Sequence, residues 1–164
     1  MGIESLYLLG DFEVSMRGRE ATLLPKEDKI GFGDASRQGL FFYGGSITYK
    51  APFTLDKKAR VKIRANHYSG ALLSVSIDGK EKGLIVFDPY VLMTDELEAG
   101  EHSLEIKVYG NRYNTFAGLH NLDSWKWQNS AYWRTEGYDW TYEYENMRKF
   151  GLLSAPVIEA EEIE

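Results

Sequence analysis

Apolar and polar residues alternate along several short stretches of this chain, with the period of two that is typical of half-buried β-strands. Between Gly45 and Leu55 the odd-numbered residues are mostly apolar and the even-numbered ones are mostly polar. The same alternation runs from Leu6 to Met16 and from Arg60 to Asn66, and it returns at 73–77, 102–110 and 138–145. Together with shorter apolar runs at 84–87 and 150–153, these patterns predict about eight strands.

The strands predict one core between two sheets, formed by the apolar residues of their inner faces. The central members of that predicted core are Ile47, Tyr49, Val61, Ile63, Val75, Ile77, Leu104, Ile106, Val108, Trp140 and Tyr142.

Turn signals lie between these stretches, and helix signals are few. Asp78-Gly79 fits a tight hairpin turn, because glycine accepts a positive φ without steric cost. Thr94–Leu97 predicts one helical turn capped by Thr94. With neither long amphipathic helices nor alternating strands and helices, the pattern favours an all-β fold, an antiparallel β-sandwich. A closed up-and-down barrel is the alternative, but the irregular strand spacing and the long connection at 111–136 favour the sandwich.

Length and charge narrow the class of protein. A chain of 164 residues is the size of one domain, and we expect one β-sandwich domain over residues 1–158 followed by an acidic tail at 159–164. The net charge of -6 disfavours nucleic acid and anionic membranes as partners. The apolar runs are too short for a membrane span, Met1–Gly10 is unlike a signal peptide, and the sequence indicates no compartment.

Motifs for catalysis and metal binding are weak. His67, His102 and His120 lack the close spacing of a zinc site, and the chain contains no cysteine. No Asp-x-Asp-x-Asp run suggests calcium, so we expect no cofactor and no metal. The carboxylate pairs Glu136 with Asp139 and Asp123 with Glu136 resemble what a glycosidase needs, but an acidic chain contains such pairs by chance.

Tryptophan is concentrated in one short stretch. All four tryptophans lie between Trp125 and Trp140, among amide, carboxylate and guanidinium side chains. A sugar stacks its C–H face on an aromatic ring while its hydroxyl groups need directional partners, so this stretch is a candidate carbohydrate site. The predicted stacking rings are Trp125 and Trp127, and the predicted hydroxyl partners are His120, Asp123, Gln128 and Arg134. Alternatively, these rings cover the core.

Four segments and a closing strand carry a resemblance to a known family: 38–49, 75–80, 88–90, 100–111 and 150–153. In this order they resemble the galactose-binding-like jelly-roll domains of large glycoside hydrolases, including family 2 sugar-binding domains and the C-terminal domains of rhamnosidase-like enzymes. The resemblance covers nearly the whole chain. It implies a jelly roll, a carbohydrate-related function and no catalytic carboxylates within the module. The stretch 118–140 departs from the family pattern, so no binding residue carries over there.

Three functions follow from these observations. We expect a non-catalytic carbohydrate-binding accessory module of a glycoside hydrolase, which binds a glycan weakly beside a neighbouring catalytic domain of the same protein. The alternative is a structural domain that packs against that catalytic domain and binds no sugar. A second alternative is a glycosidase in its own right.

Overall fold

The computed structural model describes residues 8–17, 20–116 and 147–162, which fall into two compact units. Within these ranges the first unit comprises 8–17, 20–31, 35–44, 112–116 and 147–149, and the second comprises 32–34, 45–111 and 150–162. The chain passes between the units several times. The single domain expected over residues 1–158 stays a prediction.

The first unit is built on a β-hairpin. Strand β1 (Phe12–Arg17) pairs antiparallel with β2 (Glu20–Pro25), and a 3₁₀ turn follows at Ala35–Arg37. Helix α1 (Tyr113–Phe116) is one turn long. The buried Asn114 side chain donates to the carbonyl of Arg148 and accepts from its amide, at 2.8 and 3.0 Å. These two hydrogen bonds hold the segment at 147–149 to α1.

The second unit contains the remaining strands, all of which pair antiparallel. A four-stranded sheet has the order β3-β9-β6-β7, a three-stranded sheet has the order β11-β4-β8, and β5 pairs with β10. The strand bounds are β3 Ser46–Leu55, β4 Ala59–Arg64, β5 Tyr68–Ser69, β6 Leu72–Ile77, β7 Lys80–Ile85, β8 Val91–Leu97, β9 Gly100–Tyr109, β10 Gly151–Leu152 and β11 Val157–Glu162.

The two larger sheets bury their inner faces, and this confirms the predicted antiparallel β-sandwich. The alternating residues of β4, β6 and β9 are nearly inaccessible to solvent. The predicted core residues found buried are Ile47, Val61, Ile63, Val75, Ile77, Leu104, Ile106 and Val108. The jelly-roll, galactose-binding-like type of sandwich stays a prediction. Trp140, Tyr142 and the strand expected at 138–145 lie outside the described residues.

Tyr49 is half-buried rather than fully enclosed. Its ring stacks on Phe32, with centroids 5.7 Å apart, and its hydroxyl oxygen accepts a hydrogen bond from the Leu152 amide. Burial raises the pKa of the Tyr49 hydroxyl, and the bond from Leu152 acts in the opposite direction. The polar end of this side chain therefore links β3 to β10 at the border of the core.

The helical turn predicted at Thr94–Leu97 is wrong, because these residues belong to β8. The register between β4 and β8 shifts between Arg60 and Lys62. At this bulge the buried Thr94 hydroxyl oxygen accepts a hydrogen bond from the Val61 amide at 3.0 Å and donates to the Asp95 carbonyl. The Thr94 side chain thus accepts the hydrogen bond of a backbone amide whose residue has no partner on β8 at the bulge, instead of capping a helix.

The acidic C-terminal residues continue a strand. Residues 159–162, expected as a solvated tail, lie within β11 and pair with β4. Lys62 Nζ on β4 lies 3.7 Å from Glu159 Oε2 and 3.8 Å from Glu161 Oε1. The acidic side chains of β11 therefore complement the basic outer face of β4, although exposed ion pairs each contribute little stability.

Candidate functional site

A cleft of about 410 Å³ lies in the first unit, between the β1–β2 hairpin and the segments at 27–30 and 36–41. Its volume falls in the range of about 300–1,000 Å³ that is usual for small-molecule sites. Polar and apolar side chains both reach it. The lining residues are Glu13, Val14, Ser15, Met16, Leu24, Glu27, Lys29, Ile30, Ser36, Arg37, Gln38, Gly39 and Phe41.

The Glu13 carboxylate is the most unusual group in this cleft, because the residue is only 8% exposed. Its Oε1 accepts a hydrogen bond from the Glu27 amide at 2.8 Å. Among the described residues, Oε2 has no hydrogen bond or ion pair. The alternation in β1 predicted Glu13 on the solvent face, and the burial corrects that expectation.

Gly39 explains how this carboxylate is buried. A Cβ atom at Gly39 would overlap the Glu13 carboxylate, and the residue has φ +86°, where glycine is favoured. The Val14 amide donates to the Gly39 carbonyl at 2.9 Å, and Val14 forms a parallel bridge with Leu40. The segment at 39–40 therefore lies directly against β1 and covers the face of the strand that carries Glu13.

The Gln38 side chain forms hydrogen bonds with the backbone of Gly31, and these bonds hold two segments of the cleft border together. Its Oε1 accepts from the Gly31 amide at 2.8 Å, and its Nε2 donates to the Gly31 carbonyl at 3.3 Å. The Arg37 guanidinium lies over the Phe41 ring, 5.6 Å from the centroid, a distance at which cation–π attraction operates. The chemistry this arrangement supports is binding of a small polar molecule.

An imidazole–carboxylate pair in the second unit is a second candidate. His102 Nδ1 lies 2.7 Å from Asp78 Oδ2, and Nε2 lies 2.9 Å from the Glu98 carbonyl oxygen. Both partners accept hydrogen bonds, so this geometry favours the doubly protonated ring, in which both nitrogens donate. The hydrogen bond to Asp78, and then the one to Glu98, raise the pKa of His102. The same bond from His102, helped by the Ser103 amide, lowers the pKa of Asp78.

The geometry of this pair suits stability rather than catalysis. Neither ring nitrogen is left to take a proton from a substrate, because one bonds the carboxylate and the other a backbone carbonyl. The Phe53 ring stacks on the imidazole with centroids 5.3 Å apart. Asp78 Oδ1 also accepts from the Ser103 amide at 2.8 Å. These contacts fasten the predicted Asp78-Gly79 turn, which joins β6 to β7, against β9.

Several sequence-predicted sites lie outside the described residues. They are the carbohydrate-binding set Trp125, Trp127, His120, Asp123, Gln128 and Arg134, and the carboxylates Glu136 and Asp139. In the ranges that are described, no group of three or more potential metal ligands occurs, and no helix has the length and hydropathy of a membrane span. Sequence reasoning missed the cleft residues Glu13 and Arg37, for which no local motif exists.

Comparisons with known proteins bear on the fold. No family model matches the chain, and no curated protein matches it in sequence. Among solved structures, a rhamnosidase from Novosphingobium sp. PP1Y is similar over 94% of this chain and 16% of that one, with 20% identity and a TM-score of 0.54. A GH2 beta-galacturonidase from Eisenbergiella tayi bound to galacturonate is similar over 58% of this chain and 17% of that one, with 20% identity and a TM-score of 0.39.

The chain spans about a sixth of the length of either enzyme. At this level of identity the likeness to the rhamnosidase is one of fold. The chain therefore shares its all-β fold with a part of that larger protein.

Proposed function

We propose that this chain is a non-catalytic accessory module of a larger carbohydrate-active protein and that it binds carbohydrate. The observation that carries the proposal is the fold similarity to a part of a rhamnosidase, which extends over nearly the whole chain but only a small share of the enzyme. Fold alone does not determine function, so the binding residues need their own argument.

The tryptophan-rich stretch supplies that argument at the level of sequence. Trp125 and Trp127 lie among His120, Asp123, Gln128 and Arg134. Flat rings and directional polar groups together match the two requirements of a sugar. We expect a shallow site, with a dissociation constant on the order of 0.1–1 mM, because little area is buried and the ligand stays partly hydrated.

Binding and stability of tryptophan variants test this proposal together. Trp125→Ala and Trp127→Ala should abolish glycan binding on an array and by calorimetry while the urea midpoint stays near that of the parent. The matched control is Phe87→Ala, which removes a ring that is 83% exposed in the second unit. Losing a buried tryptophan would instead cost about 3–5 kcal/mol of folding free energy. That loss in both variants, with no glycan bound by the parent, contradicts carbohydrate binding.

Absence of hydrolysis is a separate expectation of the accessory role. The pure chain should release no product from a panel of aryl glycosides. Turnover that Glu136→Gln or Asp139→Asn abolishes would instead establish a glycosidase.

A structural role against a catalytic domain is the second candidate, and exposed apolar residues of the first unit favour it. Leu9 is 89% exposed, and Leu8 and Leu23 also expose more than half of their surface. All six residues of β2 are exposed. Apolar groups exposed on β2 and just before β1 are typical of a surface that a neighbouring domain covers. Leu9→Ser with Leu23→Ser should then weaken association with the catalytic domain without affecting glycan binding.

A further inference from the structure

We propose that the cleft of the first unit binds one uncharged sugar residue, whose hydroxyl groups donate hydrogen bonds to the Glu13 carboxylate. The inference rests on the proposed carbohydrate-binding function and adds a site that is separate in sequence from the tryptophan-rich stretch. It follows from three features of the cleft: the buried carboxylate, the balance of charges and the apolar lining.

The buried carboxylate requires hydrogen-bond donors. An ionised carboxylate offers about four lone-pair sites, and Glu13 receives one described hydrogen bond, from the Glu27 amide. Removing such a group from water is costly unless partners replace the lost hydration. Gly39 nevertheless permits the carboxylate to lie in this buried position at the border of a cleft. A hydroxyl-bearing ligand supplies the donors that Oε2 lacks within the described residues.

The buried Glu13 carboxylate selects against an anionic group placed beside it. Glu13 and Glu27 line the cleft together with Lys29 and Arg37, so two acidic and two basic side chains balance. A uronate would place a second anion beside the buried carboxylate, and in a low-dielectric environment like charges repel strongly. A neutral sugar avoids this repulsion, and its hydroxyl groups can donate to Glu13 and accept from basic groups.

The apolar residues of the cleft suit the C–H groups of a sugar ring. Val14, Leu24, Ile30 and Phe41 contribute to the lining. The volume of about 410 Å³ lies near the lower end of the range for small-molecule sites. The cleft therefore fits a single sugar residue better than an extended chain.

In the test, the full chain is titrated with galactose, glucose and rhamnose and, separately, with galacturonate and glucuronate. Binding is measured from the NMR chemical shifts of the backbone amides. Neutral sugars should shift the amides of cleft residues such as Val14 and Gly39, whereas the uronates should bind at least tenfold more weakly. Glu13→Gln keeps an oxygen that accepts from the Glu27 amide but turns the other oxygen into a donor. Affinity for the neutral sugars should fall about tenfold to a hundredfold, as for the loss of a charged hydrogen bond.

Two further variants make the test decisive. Glu20→Gln removes one carboxylate from an exposed position on β2 that does not line the cleft, so affinity should stay unchanged. Ser15→Tyr adds a ring at an exposed residue of the cleft border and should block binding without altering the core. If Glu13→Gln does not fold, Ser15→Tyr carries the test alone.

Two results would contradict the cleft proposal, and they differ in whether the proposed carbohydrate-binding function is also contradicted. If both cleft variants bind neutral sugars as the parent does while Trp125→Ala and Trp127→Ala do not, the sugar binds elsewhere and only the cleft proposal fails. If the parent binds none of the probes at about 10 mM, far above the expected dissociation constant, the cleft proposal fails, and the proposed function fails as well when the parent also retains no glycan on the array.

Discussion

Replacing Gly39 by alanine should destabilise the first unit for two separable reasons. An L-residue at a positive φ such as the +86° of Gly39 costs roughly 1–2 kcal/mol. The added Cβ would also overlap the Glu13 carboxylate, and overpacking typically costs about 1–3 kcal/mol. The smaller conformational freedom of unfolded alanine offsets about 0.4–1 kcal/mol. We expect the free energy of unfolding to fall by about 1–5 kcal/mol.

Gly79 provides the matched control for the backbone contribution. It has φ +73°, and a Cβ there would meet no atom within 4 Å. Gly79→Ala should therefore cost only about 1 kcal/mol. In a Glu13→Ala background the overlap disappears, so Gly39→Ala should cost no more than Gly79→Ala does. The double-mutant cycle should yield a coupling of about 1–3 kcal/mol between positions 13 and 39.

Urea unfolding followed by far-ultraviolet circular dichroism measures these free energies. Hydrogen exchange of the Val14 amide, which donates to the Gly39 carbonyl, reports on the same contact locally. An equal cost for Gly39→Ala and Gly79→Ala, or an additive cycle, would refute the packing of Glu13 against Gly39.

Two further predictions concern the second unit. The raised pKa of His102 stabilises the folded state fully below the unfolded pKa of about 6.5, and this stabilisation is lost as pH rises through the folded pKa of His102. The lowered pKa of Asp78 stabilises the folded state fully above the unfolded pKa of about 4, and this stabilisation is lost as pH falls through the folded pKa of Asp78. Urea midpoints should show that His102→Gln costs more at about pH 5.5 than at about pH 9. Asp78→Asn should shrink this difference, and an equal cost at both pH values would contradict the pairing. Thr94→Val leaves the buried Val61 amide without its acceptor and should cost about 1–3 kcal/mol in the same assay. The exposed control Thr48→Val should change stability by less than about 0.5 kcal/mol, and equal effects at both threonines would exclude a role for the Thr94 hydroxyl.

Local sequence pattern predicted the strands that bury one face and expose the other. β3, β4, β6 and β9 alternate cleanly because each has an inner face against the core. β8 was missed because Thr94 is buried at a bulge and is followed by two acidic residues, which interrupt the period of two. A bulge depends on the partner strand, so its effect on the pattern cannot be read from one strand alone.

The candidate sites depended on contacts between residues distant in the sequence. Glu13 looked solvent-facing because nothing in β1 indicates that the segment around Gly39 covers it. His102 meets Asp78 because β6 pairs with β9, with Ile77 opposite Leu104. Predicting either contact requires the tertiary pairing first, which alternation alone does not specify.

The pairing of β4 with β11 has a consequence for synthesis on the ribosome. Arg64 lies opposite Val157, so roughly a hundred further residues must be synthesised after β4 before its partner strand β11 is available. At usual translation rates of 5–20 residues per second this takes about 5–20 s. During that interval one edge of β4 is unpaired and open to other nascent strands. Arg60, Lys62 and Arg64 place positive charge along this strand, a feature that discourages pairing between exposed edges. The basic face of β4 would thus protect the growing chain from aggregation before the acidic strand arrives to neutralise it.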